Sequence, residues 1–323
     1  MTEPILAIND LHVEFRGKRR GDHVRAVDGI SLEVLPGEVV SLVGESGCGK
    51  TTTANAVLGL VPPAKGHITV GEIDIATADR TMLKQARSKM QMIAQDPYES
   101  LNPRMTIEDI VSEPLVVHGH GGDLRRAALD ALAGAGLAPA EEFIDRRPHE
   151  LSGGQRQRVV IAAALSIEPG LLIADEPVSM LDVSVRAGIL NLLRQLADEK
   201  GIGVLLITHD LATVAAYADR IAVMYLGKIV ESGPTLDIIS DPEHPYTRAL
   251  LSVVPAHDPT VPTNPTLLVG ETPDASNIPS GCRFHPRCPA VFEPCDEIEP
   301  ALMDTGTGRQ CACLLYTQAD SPA

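Results

Sequence analysis

The 323-residue chain has no tryptophan and few other aromatics, with five tyrosines and four phenylalanines. That scarcity argues against a surface that grips single-stranded nucleic acid by stacking bases on rings. Positive charge is also short: 27 Lys and Arg stand against 43 Asp and Glu, a formal net charge of −16. A general nucleic-acid binder needs a basic face to displace counterions, so the balance argues against this class, though not against a local basic patch. No apolar run is long enough to cross a bilayer, and Met1-Thr2-Glu3-Pro4 lacks the charged-then-apolar layout of a secretion signal. The expectation is a cytosolic protein whose membrane role, if any, comes through partners. Cysteine is nearly missing before Gly281, where Cys48 stands alone, yet five of the six lie beyond it. In a reducing compartment such clustering points to metal or cluster ligation more than to disulfides.

What is present is a complete G-x-x-x-x-G-K-T run, Gly44-Glu45-Ser46-Gly47-Cys48-Gly49-Lys50-Thr51. Backbone N–H groups can surround a triphosphate only where the chain bends tightly without Cβ atoms in the way, which the glycines provide. Glu38 to Val43 reads as a buried strand and Thr51 to Leu60 as the helix whose positive end faces the phosphates. Lys50 is expected to reach the β and γ phosphates and the Thr51 hydroxyl to bind Mg²⁺. A dinucleotide fingerprint fits worse, because Thr52 stands where its last glycine belongs. The run is a nucleoside-triphosphate loop.

Ile5 to Phe15 and Ala26 to Val34 alternate as half-buried strands, around a solvated turn from Arg16 to Gly21. Short strands follow at Ile68 to Val70 and Ile73 to Ile75, predicting an antiparallel sheet beside a parallel core. Met90 to Gln95 is a further strand, and about 107–167 reads as a helical subdomain. A second α/β half returns with a helix at Gln155 to Ile167, strands at Leu171 to Ala174, Val204 to Ile207 and Ile221 to Leu226, and an amphipathic helix at Ala187 to Lys200 stopped by Gly201. Residues Pro259 to Pro265 read as a linker, dividing the chain into 1–257 and a loop-rich tail at 258–323. There is no internal repeat and no second phosphate loop.

Hydrolysis of a γ-phosphate needs a carboxylate near the metal and a group to orient water. The strand ending in Asp175-Glu176 delivers both acids where ligands of open α/β sheets bind, Asp175 toward Mg²⁺ and Glu176 toward the attacking water. His209 ends the next apolar strand and can hydrogen-bond a γ-phosphate oxygen. Gln95 ends a third, and its amide can ligate Mg²⁺ or orient water. Leu151-Ser152-Gly153-Gly154-Gln155 heads a helix with an N-cap serine and two bare glycines, a second anion-binding surface about a hundred residues from the first.

Taken together, the chain from Ile5 to Val254 resembles an ATP-binding-cassette ATPase. The phosphate loop, Gln95, the Leu151 to Gln155 signature, the Asp175-Glu176 strand, the loop Ser179-Met180-Leu181-Asp182 and the switch residue His209 occur in family order. The resemblance implies a P-loop fold of mixed core sheet, antiparallel subdomain and helical subdomain. It also implies head-to-tail pairing, with ATP held between one phosphate loop and the partner's Ser152-to-Gln155 signature and Asp182 loop. An aromatic from the first strand stacks on adenine in that family, which makes Phe15 the candidate. Val178 and Met180 depart from the family's usual Thr and Ala without removing a ligating group.

Asp96-Pro97-Tyr98, Ser100 to Met105, Leu181 to Ser184 and His244-Pro245-Tyr246-Thr247-Arg248-Ala249-Leu250-Leu251 resemble the ATPases of oligopeptide and dipeptide importers, a group that also serves nickel, glutathione and oligosaccharide systems. Gln155 and the Asp-Pro-Tyr run favour the second of the two ATPase types in such systems. The resemblance implies a related ATPase partner, two permease subunits and an extracytoplasmic binding protein, with the chain at the cytoplasmic face. A soluble cassette protein in translation or repair fits worse, since those carry two cassettes or a long coiled coil. Cys282, Cys288, Cys295 and Cys313 follow the cysteine arrangement of the group's C-terminal extension. The resemblance implies a [4Fe-4S] cluster in some members; zinc is the alternative, and Cys311 the rival fourth ligand.

Overall fold

The computed structural model describes residues 2–16, 23–253, 268, 270–306 and 308–317. Most of the Arg16-to-Gly21 turn, the Pro259-to-Pro265 linker and the boundary at 257/258 lie outside them.

The strands in chain order are β1 (Leu6–Arg16), β2 (His23–Val34), β3 (Val39–Val43), β4 (Lys65–Val70), β5 (Ile73–Asp74), β6 (Met90–Ile93), β7 (Leu171–Asp175), β8 (Gly203–Thr208), β9 (Arg220–Tyr225), β10 (Lys228–Pro234), β11 (Met303–Gly306) and β12 (Arg309–Cys311). The main helices are α1 (Lys50–Val57), α2 (Arg80–Lys89), α3 (Pro97–Ser100), α4 (Ile107–His118), α5 (Leu124–Gly134), α6 (Gly153–Leu165), α7 (Val183–Lys200), α8 (Leu211–Val214), α9 (Thr235–Ser240), α10 (Pro245–Ser252) and α11 (Leu314–Thr317). An eight-stranded sheet runs β11-β12-β10-β9-β3-β8-β7-β6, and a four-stranded antiparallel sheet runs β2-β1-β4-β5. The central pairs β9-β3, β3-β8, β8-β7 and β7-β6 are all parallel.

Both faces of the central sheet are covered, which is why its strands are continuously apolar rather than alternating. Val39 and Val43, Leu172 and Ala174, and Val204 and Leu206 face one apolar cluster, shared with α4 to α7. Val40 and Leu42, Leu171 and Ile173, and Leu205 and Ile207 face another, shared with the antiparallel sheet. Because β6, β3, β7 and β8 run the same way, Gln95, the phosphate loop, Asp175-Glu176 and His209 emerge near one edge of the sheet.

Three differences from the sequence reading have physical causes. Helix α2 was not expected, because its apolar residues are few: Ala86 is buried and Leu83 packs partly buried beside it, while the Asp79 carboxylate caps the helix by accepting from Thr81 and Met82 N–H. Helix α7 begins at Val183, four residues ahead of its periodic stretch, with Asp182 at its N-cap. The tail is more ordered than its composition suggests. Strand β12 pairs with β10, Glu231 opposite Cys311, so the extension lengthens the core sheet.

Candidate nucleotide site

A cleft of about 590 Å³ opens over the phosphate loop. Its walls include Gly44 to Gly47, Gly49 to Thr52, Gln95, Glu176 and His209, with Ala26 and Leu250 completing it. The loop's glycines answer different demands. A Cβ on Gly44 would lie 2.2 Å from Met224 O, and one on Gly49 2.2 Å from Ala26 O, so packing beneath the loop forbids side chains there. Gly47 has open space around its missing Cβ, and its φ of +79° is what favours glycine. The expectation that all three merely clear the way for phosphates is therefore incomplete.

Lys50 is buried, and its ammonium donates to Gly44 O at 2.8 Å and Glu45 O at 2.9 Å. Cys48 is 1% exposed and does not line the cleft; its Sγ lies 3.7 Å from Lys50 Nζ, and burial pushes its thiol above the ordinary range. Burial pushes the Asp175 carboxyl up; a hydrogen bond from Thr51 works against this, and the Glu176 charge adds to it. A buried acid beside a second acid, with a hydroxyl at hand, fits a site for a hard divalent cation held by oxygen ligands. Glu176 takes a left-handed φ of +46°, and its N–H donates to Ile207 O at 2.8 Å. Its carboxylate accepts from Gln95 Nε2 at 3.1 Å and lies 2.9 Å from His209 Nδ1. Three strand ends thus converge on one carboxylate.

The remaining candidates fall elsewhere. Phe15 is 42% exposed, opposite Val24 on β2, and does not line the cleft, whose wall on that side is Ala26. Ser152 caps α6 in a reciprocal box: Gln155 N–H donates to its Oγ at 3.3 Å, and Ser152 N–H donates to Gln155 Oε1 at 2.9 Å. Neither this signature nor Asp182 lines the cleft, and apolar Met180 and Val183 flank Asp182 at 59% and 78% exposure.

Cys282, Cys288, Cys295 and Cys313 line one tight void of about 10 Å³ with His244, Phe284 and Leu314. Cys311 does not line it, lying instead in β12. Among the described residues, no group of three or more His, Cys, Asp or Glu is arranged to hold a metal ion. The expected cluster thus has its four thiols around one space but no formed ligand set.

The model of the family described as ABC transporter matches residues 27–179, and that of the oligopeptide/dipeptide transporter C-terminal region matches 230–295. The chain is 44% identical over 310 residues to the oligopeptide transport ATP-binding protein OppF of Escherichia coli strain K12, covering 92% of each. It is 44% identical over 317 residues to a peptide import ATP-binding protein of Brucella ovis, covering 97% of this chain and 99% of that one. The chain belongs to the ABC transporter ATPases. Its fold matches the dimeric bacterial ABC transporter cassette MJ0796 at a TM-score of 0.64 and 31% identity, over 71% of this chain and 98% of that one. A post-hydrolysis structure of the same cassette, with ADP and phosphate bound, matches equally at 30% identity. This ABC ATPase hydrolyses ATP, and no helix among its described residues is long and apolar enough to cross a membrane.

The sequence did not disclose Ala26, Leu250, Thr272, Tyr246 or Arg287 at the site. Glu45 N–H donates to Tyr246 Oη at 2.9 Å, and Arg287 bonds the Glu45 carboxylate. These contacts span more than two hundred positions and leave no local pattern.

Proposed function

We propose that the chain is the ATP-hydrolysing subunit of a peptide importer, working at the cytoplasmic face of the membrane under two permeases fed by an extracytoplasmic binding protein. The observation that carries the paired mechanism is the separation of the two phosphate surfaces: the cleft holds Lys50 and Glu176, while the Ser152 signature faces elsewhere. A second, related cassette supplies its own signature and Asp182 loop to this cleft, and this chain returns the favour. Exposed Met180 and Val183 beside Asp182 suit such a joint.

In this reading Lys50 exchanges its two carbonyl partners for the β and γ phosphates, and Ser46 to Thr52 donate backbone N–H groups to them. Thr51, Asp175 and Gln95 would hold Mg²⁺, which neutralises phosphate charge when bound. Glu176 accepts the proton of the attacking water, held in place by Gln95, while His209 hydrogen-bonds the γ-phosphate. Tyr98 to Arg104 and α4 form the surface that meets the permeases. The test is capture from native membranes: the tagged chain should bring down two permeases and a second cassette, and peptide uptake should stop when it is deleted. Capture of no permease, or uptake of nickel, glutathione or an oligosaccharide in place of peptide, would change the assignment.

The cysteine-lined void supports a second assignment. Cys282, Cys288, Cys295 and Cys313 are a thiolate set for an iron–sulfur cluster, with zinc as the alternative. Binding requires deprotonated sulfur, so the thiols of Cys282, Cys288 and Cys313, which burial pushes up, must give up protons as the centre forms. Elemental analysis of anaerobically purified protein should find iron with matching sulfide; zinc alone would select the alternative, and neither would leave four free thiols.

A further inference from the structure

Glu45 poses an electrostatic problem. It is the second residue of a loop that must receive a polyanion, and its side chain is only 26% exposed. An uncompensated carboxylate there opposes nucleotide binding and competes for Lys50.

The C-terminal extension supplies the compensation. Arg287 Nη1 donates to Glu45 Oε2 at 2.8 Å and Nη2 to Oε1 at 3.1 Å, a two-pronged pair across 242 positions. Thr272 Oγ1 donates to the same carboxylate. Burial alone would raise the Glu45 carboxyl, but these donors bring it below its ordinary value. Both ends are anchored. The Arg287 guanidinium lies 5.9 Å from the centre of the Tyr225 ring, and Tyr246 receives the Glu45 N–H. Tyr225 and Tyr246 pack with ring centres 4.7 Å apart and planes tilted by 60°, each 5.3 Å from Phe284, three residues before Arg287.

We propose that Arg287 is a positioning residue for ATP binding: from the extension it cancels the Glu45 charge and fixes the phosphate loop in its receptive form. The proposal rests on the ATP site alone and is independent of the transported solute. In the full-length chain, Arg287→Ala should weaken MgATP binding about tenfold or more by titration calorimetry. In the assembled ATPase it should raise KM while changing kcat less than about twofold. Adding Glu45→Gln to Arg287→Ala should recover most of the lost affinity, because no charge is left to cancel. Arg287→Lys, which keeps the charge, should stay within about threefold of the parent. Arg287→Gln carries the same comparison should the alanine variant fail to fold. Parental affinity in Arg287→Ala or Arg287→Gln overturns the proposal. So does a double variant as weak as the single one, which would assign the loss to packing of the extension.

Discussion

At the scale of single residues, two acids end the same strand and burial divides their work. Asp175 is 5% exposed and its carboxyl is pushed up by burial, while Glu176 turns outward through its left-handed backbone to meet Gln95 and His209. Glu176→Gln preserves an oxygen that can accept from Gln95 Nε2 and removes only the basic group. ATP binding should persist, and phosphate release should fall by about two orders of magnitude or more. An unchanged rate would remove Glu176 from the chemistry. These residues were readable because each ends an apolar strand beside a recognisable motif. Phe15 has no such local motif: it was drawn from the resemblance alone, and it stands exposed on β1, outside the walls of the cleft over the phosphate loop.

At the scale of elements, the signature helix shows how two adjacent glycines can have unequal jobs. A Cβ on Gly154 would come within 2.6 Å of Val185 Cγ1 on α7, whereas one on Gly153 meets Leu181 and the Tyr98 hydroxyl at an ordinary 3.5 Å. Gly154→Ala should therefore cost about 1–3 kcal/mol through crowding against α7. Gly153→Ala should leave the thermal midpoint nearly unchanged, yet on the proposed pairing lower the ATPase rate of the assembly, since the methyl group between Leu181 and Tyr98 narrows the turn that the proposal offers to the partner's nucleotide. Melting curves and steady-state hydrolysis of both variants check the contrast; equal melting points would contradict it. The N-cap Ser152, the Gly201 stop and the central strands were legible because capping chemistry and buried apolar runs are local. Helix α2 and strands β10 to β12 were not. Helix α2 buries little, β11 and β12 are short, β10 breaks its apolar residues with Glu231, Ser232 and Gly233, and β12 pairs with β10 across long separations, Ser232 opposite Gln310 being 78 apart.

At the scale of the whole molecule, the extension is tied to the cassette by charge as well as by the added strands. Arg283 is 6% exposed; it bonds the Asp28 carboxylate on β2, donates to Leu226 O and reaches Glu299 at 3.1 Å. Arg25 and His12 also face Asp28. Burial would raise the Asp28 carboxyl, but the hydrogen bond and charge of Arg283 outweigh it and the native value is lowered. A lowered carboxyl contributes stability above its unfolded value, about 3.9, and loses it as pH falls through the native value. Asp28→Asn leaves Arg283 with Glu299 as its remaining carboxylate, and breaking such a buried pair costs about 3 kcal/mol. Denaturant titrations should show that gap undiminished from pH 8 to 5 and closing below about pH 4, as the parent's own Asp28 takes up its proton. A gap that persists unchanged into that acid range would mean that the ionised carboxylate does not hold the extension. Docking would then depend on Phe284 in its aromatic pocket and on the β10-β12 ladder, and Arg287 would reach the phosphate loop without help from this ion pair.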